Sequence, residues 1–248
     1  MNRALRLGRF AGIDVHLHWT FALLIGWVGY VSWQRTGTVA GAVDGVVLVL
    51  GLFLCVLLHE YGHALTARRF GIGTRRITLL PIGGVALLES IPKRPLEEIA
   101  IAFAGPAVNI VIAVLLYAWL SAGLPPGAGF VPIMLQANLA LAIFNLIPAF
   151  PMDGGRVLRA LIWTQAPIAR ATWIAAWVGR VIAVGFAIYG VMSRNPIIVL
   201  IAAFVWFAAG AEARAVAERE RRAALRRAER AAARAAAAGS LPPGSEIL

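Results

Sequence analysis

A chain of 248 residues that is 60% hydrophobic and 14% charged, with a mean hydropathy of +0.78, carries more apolar surface than a soluble core of that size can hide. Its composition excludes a water-soluble globular protein and makes lipid the solvent for most of its surface. The net charge of +11 reads as a topology signal and not as nucleic-acid binding: with both termini cytoplasmic, 20 of the 23 Lys and Arg fall in cytoplasmic segments, facing an anionic inner leaflet.

Arg3, Arg6 and Arg9 precede the first apolar run, at 17–34. No small-residue cleavage site follows it, so it reads as a retained span and not as a secretory leader. His16 and His18, just before it, read as interfacial imidazoles and not as metal ligands. Further apolar runs lie at 43–67, 99–122, 129–147, 172–192 and 195–211, each near the ~20 helical residues that cross ~30 Å of hydrocarbon. The predicted fold is an all-α polytopic membrane protein of six transmembrane helices, with a small membrane-associated β-hairpin between spans two and three. Residues 1–210 form the membrane domain and 211–248 a cytoplasmic helical tail.

The second span contains VLLHEYGHAL, residues 56–65. His59 and His63 are one helical turn apart and project from one face, where they can share a metal ion, while Glu60 points about 100° round, towards the open side of that metal. HExxH also occurs by chance in soluble helices. Here, however, it sets three ionisable groups at membrane depth, each costing ~2.5 kcal/mol or more if charged and unpaired, and a zinc site accounts for all three. His59 is nine residues before Arg68, so at ~1.5 Å per residue the metal lies roughly 14 Å below the cytoplasmic boundary. Cys55, the one cysteine, excludes an internal disulfide and reads as a packed thiol.

The loop RRITLLPIGGVALLESIPKR sets two β-prone runs around a Pro and two glycines, which predicts a hairpin. A free edge at Gly83, Gly84 and Val85 could add a substrate strand; the alternative is a purely structural hairpin. Asn109 in span three has two readings, a hydrogen bond across to another helix or a position in packing through Gly105 and Ala107. After span four comes NLIPAFPMDGGR, whose prolines interrupt the helix and whose Asp153 is the carboxylate at suitable depth for a third metal ligand. Arg180 in span five lies too deep for easy snorkelling, so it pairs with a carboxylate or faces a water cavity. From Glu212 to Arg234 the composition is Ala- and Arg-rich, a helix former with little apolar stripe.

HEYGH in span two and NLIPAFPMDGGR after span four resemble the two signature motifs of the site-2 protease family, intramembrane zinc metalloproteases that cut transmembrane segments of other membrane proteins. The six-span plan and the GIDVHLHWTF stretch are similar to the branch that includes the bacterial sporulation sigma-factor-processing protease and its archaeal relatives. The resemblance, covering roughly residues 10–210, implies Zn²⁺ held by His59, His63 and Asp153, Glu60 as catalytic base, and Asn145 near the scissile carbonyl. It further implies a single-span membrane protein as substrate, such as a membrane-bound transcription regulator or anti-sigma factor, and an active site nearer the cytoplasmic side of the cell membrane. Many members of that branch append CBS modules after the last span; here AERERRAALRRAERAAARAAAAGSLPPGSEIL follows instead. The rival function is a non-proteolytic zinc-binding membrane protein, a carrier or inactive adaptor, which has no use for Glu60 as an unligated acid beside the ligands.

Overall fold

The computed structural model describes residues 4–239 apart from Ile82 and Ala128; Arg3 and the last nine residues of the tail lie outside the described residues. Two strands that the sequence reading did not anticipate open the chain, β1 (Ala4–Phe10) and β2 (Ile13–His18), followed by α1 (Thr20–Thr36) and α2 (Val39–Arg69). Then come β3 (Thr74–Leu80), β4 (Gly83–Leu88), α3 (Pro95–Ser121) and α4 (Phe130–Asn145), and finally α5 (Asp153–Trp163), α6 (Ile168–Met192) and α7 (Pro196–Gly239). Four helices, α2, α3, α6 and α7, are long and apolar enough to cross a membrane. The chain is thus a mostly helical polytopic membrane protein, with α1 and α4 shorter at 17 and 16 residues. Leu23, Leu115, Val181 and Phe207 are among the many large apolar side chains that face outward.

Local chemistry sets the helix ends. Gly37 closes α1 in the left-handed conformation, and the Thr38 hydroxyl accepts from the Gly41 N–H to start α2. Pro95, at the first position of α3, needs no donor there. No break separates the sixth apolar run from the tail, since α7 runs continuously through residue 211.

The predicted hairpin is present as β3–β4, but within a larger sheet of order β1-β2-β3-β4. The β2–β3 pair is parallel, with α1 and α2 as the crossover. Along β3, Ile77 and Leu79 face inward with strand periodicity, and Ile77 packs with Ile13 and Ala64, so the sheet lies on the helix that carries HExxH. β4 pairs only with β3 among the described residues and therefore ends the sheet.

Candidate metal centre and its cleft

The site begins where α2 meets α3 across small residues. Gly62 lies against the Ala104 carbonyl, where a Cβ would stand 2.6 Å from the oxygen, and a Cβ on Gly105 would collide with both His59 and His63. These two glycines let α3 approach the HExxH face closely. The rings of His59 and His63 cross edge-to-face with centroids 4.7 Å apart, and both residues are buried.

The third residue arrives from α5. Asp153 opens that helix directly beneath the turn 146–152, because Gly154 presses on the Leu146 and Ile147 carbonyls and Gly155 on the Ala149–Phe150 backbone, where side chains would collide. The turn itself is anchored from behind, Ala149 and Met152 packing with Ala183 of α6 and Val205 of α7. Asp153 Oδ2 lies 3.2 Å from His59 Nε2 and 3.1 Å from His63 Nε2, and the two Nε2 atoms are 3.0 Å apart. Structure thus brings together the three residues singled out as ligands.

Hydrogen bonds at the far side of each ring decide what these atoms offer. His63 Nδ1 is 2.6 Å from the Ile101 carbonyl, which can only accept, so Nδ1 carries the proton. His59 Nδ1 is 2.5 Å from Asn109 Oδ1, whose amide donates to Asn138 Oδ1 at 2.8 Å. Asn138 in turn donates to the Met134 carbonyl at 2.8 Å and to Cys55 Sγ at 3.3 Å, which orients its own oxygen towards Asn109. Both Nε2 atoms are therefore bare acceptors facing each other and a carboxylate. Three acceptors with no proton among them fit a shared cation, and the outer hydrogen bonds are those that fix ligand tautomers at metal sites.

Glu60 stands beside this cluster and lines a cavity of about 450 Å³ with Asn145, Met152 and Arg156. The hairpin reaches it too: a Cβ on Gly84 would lie 2.6 Å from Glu60 Cγ and 3.0 Å from Oε1, so Gly84 gives the carboxylate its room. Gly83 and Val85 line the same cavity. Asn145 ends α4, its amide donating to the Leu141 carbonyl at 2.9 Å. Arg156 Nη1 is 3.8 Å from Asp153 Oδ1. A second cavity of about 670 Å³ continues from the first along β4, as far as Pro92, with Phe150, Arg156 and Glu212 opposite.

Other sequence readings resolve differently. His16 and His18 belong to β2 and stay outside the cluster, with His18 Nδ1 2.7 Å from the Thr20 hydroxyl. Asn109 takes the first of its two readings, a hydrogen bond across helices. Arg180 has no carboxylate partner among the described residues; it stacks on Trp177 and Trp206 instead, aromatic partners that single-residue depth reasoning does not reveal. Asn138 and Arg156 were missed, and Gly105, read only as a packing position, lies against both imidazoles. An amide within an apolar span was the available signal for Asn138.

The model for peptidase family M50 matches residues 47–126 and 127–186, more than half of the chain. Zinc metalloprotease MJ0392 of Methanocaldococcus jannaschii is 38% identical over 219 residues, 87% of this chain and 62% of the relative, so the chain spans less than two thirds of that protein's length. Stage IV sporulation protein FB of Bacillus subtilis is 37% identical over 125 residues, 50% of this chain and 43% of that protein. Among solved structures, the Site-2 Protease from Methanocaldococcus jannaschii matches with a TM-score of 0.64 and 37% identity, over 85% of this chain and 95% of that one. With both motifs folded into one metal-ligand cluster and more than half of its length matched, the chain belongs to peptidase family M50.

Proposed function

We propose that the protein is an intramembrane zinc endopeptidase that hydrolyses peptide bonds within or near transmembrane segments of single-span membrane proteins, such as a membrane-bound transcription regulator or anti-sigma factor. The observation that carries this reading is the convergence of two bare imidazole nitrogens and a carboxylate beside an unligated Glu60 in one cleft. A zinc carrier has no use for that fourth group. The names and folds of the relatives support the same assignment.

His59, His63 and Asp153 would hold the zinc. When bound, that ion supplies Lewis acidity, polarising a peptide carbonyl and acidifying water. Glu60 is the base that takes a proton from the attacking water and later delivers it to the leaving amine nitrogen. Asn145 has an amide on the cavity wall to donate to the carbonyl oxygen as negative charge develops there. Gly83, Gly84 and Val85 present the backbone edge along which an extended substrate can lie. The membrane unit is 1–210 with six spans, α1 and α4 crossing where the bilayer is locally thin or the helix ends extend the apolar stretch. Arginine and lysine distribution supports cytoplasmic termini and an active site nearer that face.

Glu60→Gln is nearly isosteric and cannot accept the proton. It should retain about one zinc per chain and lose cleavage of a single-span substrate in detergent by at least about a hundredfold, as expected for a general base. Turnover within a few-fold of wild type would remove Glu60 from this role.

A further inference from the structure

Two arginines that take no part in the metal site meet at the seam of α6 and α7. Arg180 is stacked between indoles, its guanidinium carbon 5.4 Å from the ring centroid of Trp177 and 5.3 Å from that of Trp206. Because Trp177 is one turn earlier on α6, the Arg180 side chain runs back towards the Ile168 end of that helix. Arg214, from α7, reaches the same place: the point a Cβ on Gly210 would occupy lies 2.8 Å from Arg180 Nη2 and 3.3 Å from Arg214 Nη1. Gly210, having no side chain, makes the room that both guanidiniums occupy.

No negative group balances them. Neither guanidinium forms an ion pair or hydrogen bond with a carboxylate among the described residues; Glu212 is turned to Arg159 at 2.7 Å and Glu218 to Arg222 at 2.8 Å. Arg180 Nε is buried and has no hydrogen-bond partner among the described residues. A guanidinium does not shed its proton, so two of them held together on a lipid-facing seam call for a shared anion. The depth identifies its source. Trp173, Trp177 and Trp206 are 58%, 44% and 40% exposed around the pair, and indoles favour the headgroup level of a bilayer. Arg180 sits midway along α6, so the level of the site is set from α7: Gly210 lies at the end of the apolar run 195–211 and Arg214 just past it, which puts the point where the two guanidiniums meet near the edge of the hydrocarbon.

We infer that Arg180 and Arg214, flanked by Trp177 and Trp206 and spaced by Gly210, bind the phosphate group of an anionic phospholipid. Guanidinium forks match phosphate oxygens in pairs, and the indole faces shield the contact from water. The site is separate from the metal cleft and does not depend on the proposed catalytic activity.

The test is native mass spectrometry of the full chain in neutral detergent, titrated with phosphatidylglycerol, with phosphatidylcholine, and with phosphatidylglycerol plus inorganic phosphate. Wild type should retain one phosphatidylglycerol saturably and in preference to phosphatidylcholine. Arg214→Gln, a change at an exposed residue that leaves the fold intact, should bind it about fivefold more weakly, and Arg180→Gln with Arg214→Gln more weakly still. Gly210→Leu should block it by pushing the two guanidiniums apart. Displacement by millimolar inorganic phosphate would identify free phosphate as a sufficient ligand of the same site, and failure to displace would assign the site to lipid. Equal retention of phosphatidylglycerol by wild type and Arg214→Gln, or equal retention of the two lipids by wild type, would overturn the inference.

Discussion

His59 presents a bare Nε2 because an amide two residues removed from it in the hydrogen-bond chain is held in one orientation. Asn138, fully buried, spends its donors on Met134 and Cys55, so its oxygen must face Asn109, and Asn109 must in turn offer oxygen to His59. Asn138→Leu, which keeps the branched shape in a larger side chain and removes the constraint, should lower zinc affinity by about 10–100-fold, the usual effect of losing a partner behind a ligand. Cys55→Ala removes only the weak sulfur acceptor and should hold zinc within about twofold of wild type, because the Met134 carbonyl still orients the amide. Zinc retention against a competing chelator measures both. Gly105→Ala makes a harsher test with a single methyl: its Cβ would overlap both imidazoles, so zinc should be lost while the apolar packing of α3 is otherwise unchanged.

Three helices are joined by one buried ion cluster. Arg159 of α5 donates to Glu98 of α3, which is 0% exposed, and its Nη1 reaches Glu212 of α7 at 2.7 Å, while its guanidinium stacks over Phe150 at 5.2 Å. Arg159→Met strands the Glu98 carboxylate and should cost about 3–5 kcal/mol, seen as a lowered unfolding temperature in detergent; adding Glu98→Gln should restore most of it. Glu212, half-buried, keeps water within reach and contributes less than Glu98. This cluster also marks the limit of sequence reading. HEYGH was legible because its two histidines are one turn apart on one helix, and Asp153 because prolines and glycines surrounded the available acid. The β3–β4 hairpin was legible because its two strands adjoin. By contrast, β2 pairs with β3 across two helices, and Asn138, Arg159 and Arg180 find their partners on distant elements. Contacts of that kind leave no local period. Short α5 was hidden for another reason: the prolines of NLIPAFPMDGGR interrupt one helix, and an amphipathic one begins directly after them at Asp153.

At the scale of the whole molecule β4, the His59–His63–Asp153 cluster and residues of α5 and α7 line two adjoining cavities that share Val85, Ala86 and Arg156, and β4, paired on one side only among the described residues, supplies a backbone edge to this cleft. On the proposed function a transmembrane substrate would arrive helical, with its carbonyls bonded internally, and hydrolysis would need one of them exposed beside Glu60. Strand addition to β4 would replace the lost helical bonds. Neighbouring residues of a strand send their N–H groups to opposite sides, so of Val85 and Ala86 one donates towards β3 and the other towards the open edge. Proline at the outward position removes a donor from the substrate face and leaves the hairpin paired, whereas proline at the other position disrupts β3–β4 itself. Val85→Pro and Ala86→Pro should therefore separate. One should keep its thermal stability and zinc content yet lose cleavage of a stable helical substrate by about tenfold, with a smaller loss on a segment already unwound by helix-breaking residues, because that segment spends less free energy in becoming extended. The other should lose stability as well. Cleavage of both substrates at wild-type rates by the stable variant would show that the edge serves only the fold and that substrate is gripped elsewhere in the cleft.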